Sequence, residues 1–468
     1  MSQSPTSIAL RAIRWLPTPW LPAVVAVFAT FAWRAFLLHV APVAYSYDGY
    51  QRWAGRDHIL VQSWLPVTQS IIWVTAQFGG DLATGRLVMA AVAALSAGAG
   101  TLLAQRISEA RHGPALAVYA GWTFVVAAFF GPWVSWGTVF YQESTFLLVL
   151  FSAMYLALGR RPVLGDLVMG LLGLVRYEGW PVILLYVAWR RKPGSLLALW
   201  GMGVWLALRG SGLEGFHASP VNFADWEGLG TRFNLNKWLD DVAMWLWRLV
   251  NSGGLVWIVL GSLVAWFNRE LSGVRVMTLI FLSQVAITAA WLAGLEVSTS
   301  RMVVIPVAVM AVLGAGVAPW IVQRKSAIAL LPVGLAIVLA VGLNDAGRRM
   351  RVEGYRVRAE TEALRLMGDC PGCIWWVVPR PKAGTRARHD GCEVIQGISD
   401  MVEGEDFYCA SWVDSEQAME LYSQCGGTLR YDDVTQAYVA ERHLSGTAPP
   451  MPLVPADPAL RTDDGADE

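Results

Sequence analysis

Long apolar runs, separated by short polar stretches, recur along the first three quarters of this chain. A helix rising about 1.5 Å per residue needs about 20 apolar residues to cross a hydrocarbon core of ~30 Å. The pattern predicts eleven spans, over 21–40, 84–105, 115–131, 144–159, 164–175, 179–190, 195–210, 253–267, 276–294, 302–323 and 326–343. Two of them, 164–175 and 179–190, are too short to cross squarely and read as a hairpin turning at "RYEGW" (Arg176–Trp180). Two amphipathic stretches stand apart. One covers Ile59–Phe78, and the other closes a long loop and carries Trp238, Trp245 and Trp247 at headgroup height.

Composition agrees with the pattern. Of 468 residues, 55% are hydrophobic and 15% charged, and Lys+Arg and Asp+Glu cancel at 36 each, which gives no reason to expect nucleic acid. Charge placement says more. With the N-terminus inside, thirteen Lys and Arg residues from Arg11 to Lys325 fall on the cytoplasmic side, against seven on the other side up to Arg301. The first run lacks a small-residue cleavage site and reads as a retained helix. An odd span count then puts the C-terminal part outside, in an integral protein of a bacterial inner or cell membrane.

The expected fold is an α-helical polytopic membrane protein of about 11 transmembrane helices, with a small C-terminal extracytoplasmic α/β domain. The membrane region is 1–343, with external loops 41–83 and 211–252. The cysteine-containing domain is 344–445, and 446–468 is a disordered tail rich in Pro and Asp. Within the domain the pattern predicts helices at 348–367 and 414–424, a strand at 374–379 and a strand or hairpin around 428–441. All five cysteines (Cys370, Cys373, Cys392, Cys409 and Cys425) lie there. In an oxidising compartment they favour structural disulfides over a zinc or redox site, with one left over and the pairing open.

The polar residues of the membrane region collect on the external face. "SYDGYQRWAG" (Ser46–Gly55) follows the first span, "WGTVFYQES" (Trp136–Ser144) precedes the fourth, "RYEGW" turns the hairpin, and "EVSTSRM" (Glu296–Met302) opens the tenth. Carboxylates, guanidinium groups and aromatic rings at one bilayer surface mark a candidate site.

In this order the motifs resemble the GT-C superfamily of membrane glycosyltransferases, which take a sugar from a polyprenyl-phosphate donor. That family has a catalytic acid in its first external loop, where "SYDGY" puts Asp48. "VFYQES", with Glu143 heading the next helix, is similar to the mannosyltransferase branch. The Arg- and Glu-broken hairpin "LGLVRYEGWPVILL" and the Arg-led, Pro-punctuated "TSRMVVIPVAVM" also look like it. The resemblance implies transfer of a sugar, such as mannose, to a lipid, polysaccharide or protein hydroxyl by inverting displacement.

The chemistry asks for the same groups. Asp48 is the candidate general base, although it could equally cap a helix starting at Gly49. Arg301 and Arg176 suit the donor phosphate, because a guanidinium is a planar, permanently charged fork. Glu143 could orient groups around Asp48, bind the acceptor, or share a metal with Asp48. Tyr47, Tyr50, Arg52, His58, Trp64, Trp136, Tyr177 and Glu178 are candidate substrate contacts. Arg34, inside the first span, could pair with Glu143 or Glu178, or simply stabilise packing. Gly49 follows Asp48 where many members have a second acid, so no cofactor or metal is expected, although Mg or Mn is compatible with two carboxylates. Two other classes compete: a transporter or flippase, and a receptor-like or assembly protein working through its external domain. Thiol labelling of the unreduced, denatured protein is expected to modify at most one cysteine, and modification of all five would overturn both the disulfides and the external placement.

Overall fold

The computed structural model describes residues 20–40, 52–53, 56–60, 65–210, 235–294, 301–324, 332–347 and four C-terminal strands. Asp48, Tyr47, Tyr50, Trp64, the expected helices 348–367 and 414–424 and the tail 446–468 lie outside those residues.

The helices are α1 (Leu21–Val40), α2 (Pro66–Gln77), α3 (Leu82–His112), α4 (Pro114–Ala127), α5 (Gly131–Trp136), α6 (Glu143–Ala157), α7 (Pro162–Leu171), α8 (Gly179–Arg190) and α9 (Trp200–Gly210). They continue as α10 (Leu235–Asn251), α11 (Gly254–Phe267), α12 (Ser272–Gly294), α13 (Val304–Gly314) and α14 (Val317–Gln323), then α15 (Pro332–Gly347). Their ends follow from local chemistry. Asp81 caps α3 by accepting from the Thr84 N–H at 2.8 Å and the Thr84 hydroxyl at 2.7 Å. Gly113, at φ 76°, ends α3 in a conformation that a side chain would resist, and Pro114 starts α4 at a position needing no N–H.

Each predicted span overlaps a described helix, but not as eleven equal crossings. Among the described residues four helical stretches are long and apolar enough to cross a membrane: Leu21–His39, Ala83–His112, Ser272–Leu292 and Val304–Gln323. Five other apolar helices, of 10–17 residues, are shorter. Pro332 interrupts the run 326–343, which hydropathy reads straight through, whereas Pro114, Pro162 and Pro193 follow polar or charged stretches and open their helices at a position needing no N–H. The expected hairpin is α7, a 3-10 turn over Leu172–Leu174, and α8. The expected interfacial helix is α10, strongly amphipathic and bent by 87° from α11 at Gly253, whose φ is 74°. Trp247 is 58% exposed on it, whereas Trp245 turns into the core rather than toward headgroups.

Packing is tightest around α3, α4, α6 and α13. Phe124, Trp133 and Phe151 meet edge to face at 6.1–6.5 Å and join α4, α5 and α6. Small residues let helices close in. A Cβ on Gly261 of α11 would stand 2.5 Å from the Met310 carbonyl oxygen of α13. Asp166 of α7 staples the hairpin by accepting from the Tyr186 hydroxyl at 2.6 Å and from Arg190 Nε at 3.3 Å.

The C-terminal strands β1 (Cys373–Val378), β2 (Asp406–Ser411), β3 (Thr428–Asp432) and β4 (Ala437–Glu441) form one sheet in the order β1-β2-β4-β3. β1 and β2 are parallel, with Cys373 opposite Asp406, and the other pairs are antiparallel. The predicted strand and hairpin are β1 and β3–β4. β2 was not expected, because "DFYCAS" is short, begins with an acid and lacks a β-branched residue. The cysteine side chains lie outside the described residues, among which no disulfide forms.

Gly261→Leu should cost about 1–3 kcal/mol through overpacking. The readout is a lowered Tm in detergent, with Gly203→Ala, which meets nothing within 4 Å, as the neutral control. Equal melting of the two variants would mean that α11 and α13 yield without cost.

Candidate active site

Three segments remote in sequence meet at one end of the bundle. α6 begins at Glu143, and the Phe146 N–H closes its first turn on the Gln142 carbonyl at 2.8 Å. A carboxylate there sits at the positive end of the helix. The turn between α7 and α8 supplies Arg176 and Glu178, fixed by the Gly179 N–H donating to the Arg176 carbonyl at 2.9 Å. Arg301 precedes α13, its carbonyl accepting from the Val304 N–H at 3.1 Å.

Their side chains form one cluster. Arg176 Nη1 and Arg301 Nε both donate to Oε1 of Glu143, the latter at 2.5 Å. Arg176 also forks onto Glu178, through Nη2 to Oε1 at 2.5 Å and Nε to Oε2 at 3.1 Å. Gln284 of α12 donates to the Glu178 carbonyl at 3.1 Å. Two cations and two anions therefore neutralise one another where Glu143 is only 2% and Arg176 only 5% exposed. Burial raises the Glu178 carboxyl, but Arg176 beside it reverses this and holds it below its ordinary value. Burial lowers the Arg176 guanidinium, and Glu143 and Glu178 more than restore it. The four groups stay charged at neutral pH.

Aromatic side chains border the cluster. The Arg301 guanidinium lies 4.1 Å from the centroid of the Tyr141 ring, and Trp136 meets that ring edge-on at 5.0 Å. Tyr177 packs edge-on against Trp180 and the buried Trp205, at 5.7 and 6.3 Å. The segment from α5 to α6 is itself held by two more buried arginines. Arg34 Nη2 donates to the Trp133 carbonyl at 3.5 Å, and Arg86 Nε to the Thr138 carbonyl at 3.1 Å.

Of the candidates, Glu143, Arg176, Glu178 and Arg301 come together, with Trp136 and Tyr177 alongside. Asp48, Tyr47, Tyr50 and Trp64 lie outside the described residues. His58 is exposed. Arg52 is buried, and its carbonyl accepts from Gln69 of α2 at 3.0 Å. Of the two alternatives for Arg34, the pairing with Glu143 or Glu178 does not occur: its hydrogen bonds go to the carbonyls of Thr30 and Trp133, which ties α1 to α5. An arginine six residues before the end of α1 can be satisfied by helix carbonyls as well as by an acid. Sequence reading missed Tyr141, Arg86 and Gln284. Arg86 carried a signal, a charge five residues into an apolar helix. Among the described residues no three His, Cys, Asp or Glu side chains gather as a metal site. A groove of about 520 Å³ lies between α2 and α3, lined by residues such as Ile71, Val74, Phe78 and Val88, and the ion cluster does not border it.

No protein-family model matches the sequence, and no curated protein does either. Among solved structures the fold is similar to that of ArnT from Cupriavidus metallidurans bound to undecaprenyl phosphate. That likeness has a TM-score of 0.53 and 13% identity over 91% of this chain and 99% of the other. The apo state of the same protein gives a TM-score of 0.52 and 13% identity over 89% and 97%. The resemblance to the GT-C superfamily is borne out at the level of the fold. With its apolar helices, this fold makes the chain an integral membrane protein.

Glu143→Ala should destabilise the protein by about 3–5 kcal/mol, because it strips a shared anion from two guanidinium groups inside the protein. Thermal unfolding in lipid nanodiscs measures this. A loss no larger than that of an exposed pair, about 1 kcal/mol or less, would mean that the cluster is hydrated in solution.

Proposed function

We propose that this chain is a membrane glycosyltransferase that moves a sugar from a polyprenyl-phosphate donor to an acceptor hydroxyl at the external membrane face. The carrying observation is the buried cluster of Glu143, Arg176, Glu178 and Arg301. Its setting supports the reading, since the fold is similar to that of a protein solved with undecaprenyl phosphate.

The reaction breaks the bond between the anomeric carbon and the phosphate oxygen and forms one from the acceptor oxygen to the same carbon, with inversion. Asp48 takes the acceptor proton. The leaving phosphate gains negative charge, which a fixed guanidinium stabilises. Arg301 suits that task better than Arg176. Its side chain is 14% exposed against 5%, and all three Arg176 nitrogens face carboxylates. Arg176 then positions Glu143, and through it Arg301. The acceptor class and the sugar, with mannose as one candidate, are for assay with defined donors. No metal is assigned a step, so transfer should continue in EDTA.

Asp48→Asn keeps size and most hydrogen bonds but cannot take the proton, so transfer should fall by about 10²–10⁴. Melting should stay near wild type, since even a lost helix cap costs only ~1 kcal/mol. Arg301→Lys should be milder than Arg301→Ala, because it keeps charge and loses only the planar fork. Transfer of radiolabelled sugar from undecaprenyl-phosphate donors measures both. Undiminished transfer by folded Asp48→Asn would move the base elsewhere.

A further inference from the structure

The two oxygens of Glu143 are used unequally. Oε1 receives both guanidinium groups, while Oε2 has no hydrogen-bond partner among the described residues, although Glu143 is 2% exposed. This is unusual beside an arginine that grips both oxygens of Glu178. Sharing one oxygen between two cations leaves the other as a fixed acceptor of hydrogen bonds, held in orientation by the pair. A buried acceptor left unmet is costly, so such an atom points to a group that meets it in the working complex.

The surroundings limit what that group is. Another anion is excluded, since it would face a carboxylate oxygen. Apolar matter would leave the oxygen unmet. A hydroxyl satisfies it. The buried Tyr141 ring carries the Arg301 guanidinium on its face and meets Trp136 edge-on, so the two rings fix Arg301 beside the carboxylate. A sugar ring, hydroxylated at its rim, brings such donors to an oriented acceptor. Ring hydroxyls lie only a few bonds from the anomeric phosphate, which the reading above assigns to Arg301, and Arg301 Nε is 2.5 Å from the same carboxylate.

We infer that Glu143 is a specificity-determining residue, whose Oε2 accepts a hydrogen bond from one ring hydroxyl of the donor sugar. This rests on the proposed glycosyltransferase reading. It separates the two carboxylates by task, with Asp48 taking a proton and Glu143 reading the sugar. The sugar must then carry a hydroxyl at one defined ring position, whereas the other positions are read less strictly.

The test uses the full-length protein in nanodiscs and needs no turnover. Ligand-induced stabilisation is titrated with undecaprenyl phosphate alone, with undecaprenyl-phosphate mannose and glucose, and with their single-position deoxy analogues. Loss of the one correct hydroxyl should weaken wild-type binding by about 10–100-fold, the effect of leaving a buried acceptor unmet. The other deoxy analogues should bind nearly as the parent does. Glu143→Gln keeps a carbonyl oxygen for the two arginines and replaces the second oxygen with a donor, so the discrimination should shrink toward parity. Binding of undecaprenyl phosphate alone should not weaken, since both guanidinium groups keep their charge and lose a competing anion. Equal binding of all deoxy analogues by the wild type would overturn the inference while leaving the donor reading in place. So would a Glu143→Gln protein that weakens on every ligand alike, undecaprenyl phosphate included. If none of the lipid phosphates stabilises the wild type, the donor reading fails and takes the inference with it.

Discussion

One carboxylate oxygen shared by two guanidinium groups organises this molecule. Glu143 Oε1 accepts from Arg176, 33 residues away, and from Arg301, 158 residues away. Neither cation could be buried alone, since the desolvation of an unpaired ion exceeds what packing returns. The helices that carry them must therefore dock in one register, and that register puts the head of α6, the α7–α8 turn and the start of α13 side by side. Glu178 completes the charge balance, so the set is neutral as a whole while each member remains ionised. The arrangement favours precision over raw stability. An apolar plug of the same volume would hold the helices as well but would place no charge at this end of the bundle.

The same constraint explains how irregular backbone survives inside the bundle. Between α5 and α6 the chain is not helical, yet Thr138, Val139 and Phe140 are buried. Lipid cannot satisfy free carbonyls, so such a segment persists only when protein groups meet it. Arg86, projecting from α3, does so at Thr138, while Arg34 of α1 anchors the preceding helix α5 through the Trp133 carbonyl. Trp53 stacks on Phe140 at 5.1 Å and closes the segment from the first-loop side. Arginines placed inside apolar helices, which look misplaced by hydropathy, are thus the donors that this buried turn and the helix before it require.

Much of this was legible in the sequence, and the gaps have physical causes. Apolar runs locate helices because burial and lipid exposure both select apolar side chains, but they do not reveal length. Pro332, which cuts the run 326–343 down to α15, scarcely alters its mean hydropathy. Glu143, Arg176, Glu178 and Arg301 could be picked out because charges at the ends of apolar spans need a reason. Their mutual pairing could not, since nothing local encodes contact over 158 residues. For Arg34 a carboxylate partner and a packing role stay open in the sequence, because sequence shows acids and hides carbonyls. Tyr141 was missed since an aromatic residue in an apolar stretch is unremarkable until a cation lies over its ring.

Arginine serves two purposes in this chain, and burial separates them. Toward the end bearing Arg111 and Arg324, arginines behave as anchors. Arg111 bridges to Glu270 with both side chains largely exposed, and Arg324 and Arg269 lie over Trp320 and Trp266 at 4.3 and 5.4 Å. Such pairs add little to stability and serve to hold the helix ends at an interface. At the opposite end Arg34, Arg86 and Arg176 are 0–5% exposed and bonded to carbonyls and carboxylates. A count of positive charges mixes these populations, and orientation can be drawn only from the first. The second population stays because it shapes a charged, partly dehydrated surface where backbone is irregular and rings are close. There an electrostatic contact with a bound group is worth more than in water, and a single oriented carboxylate oxygen can select among hydrogen-bond donors.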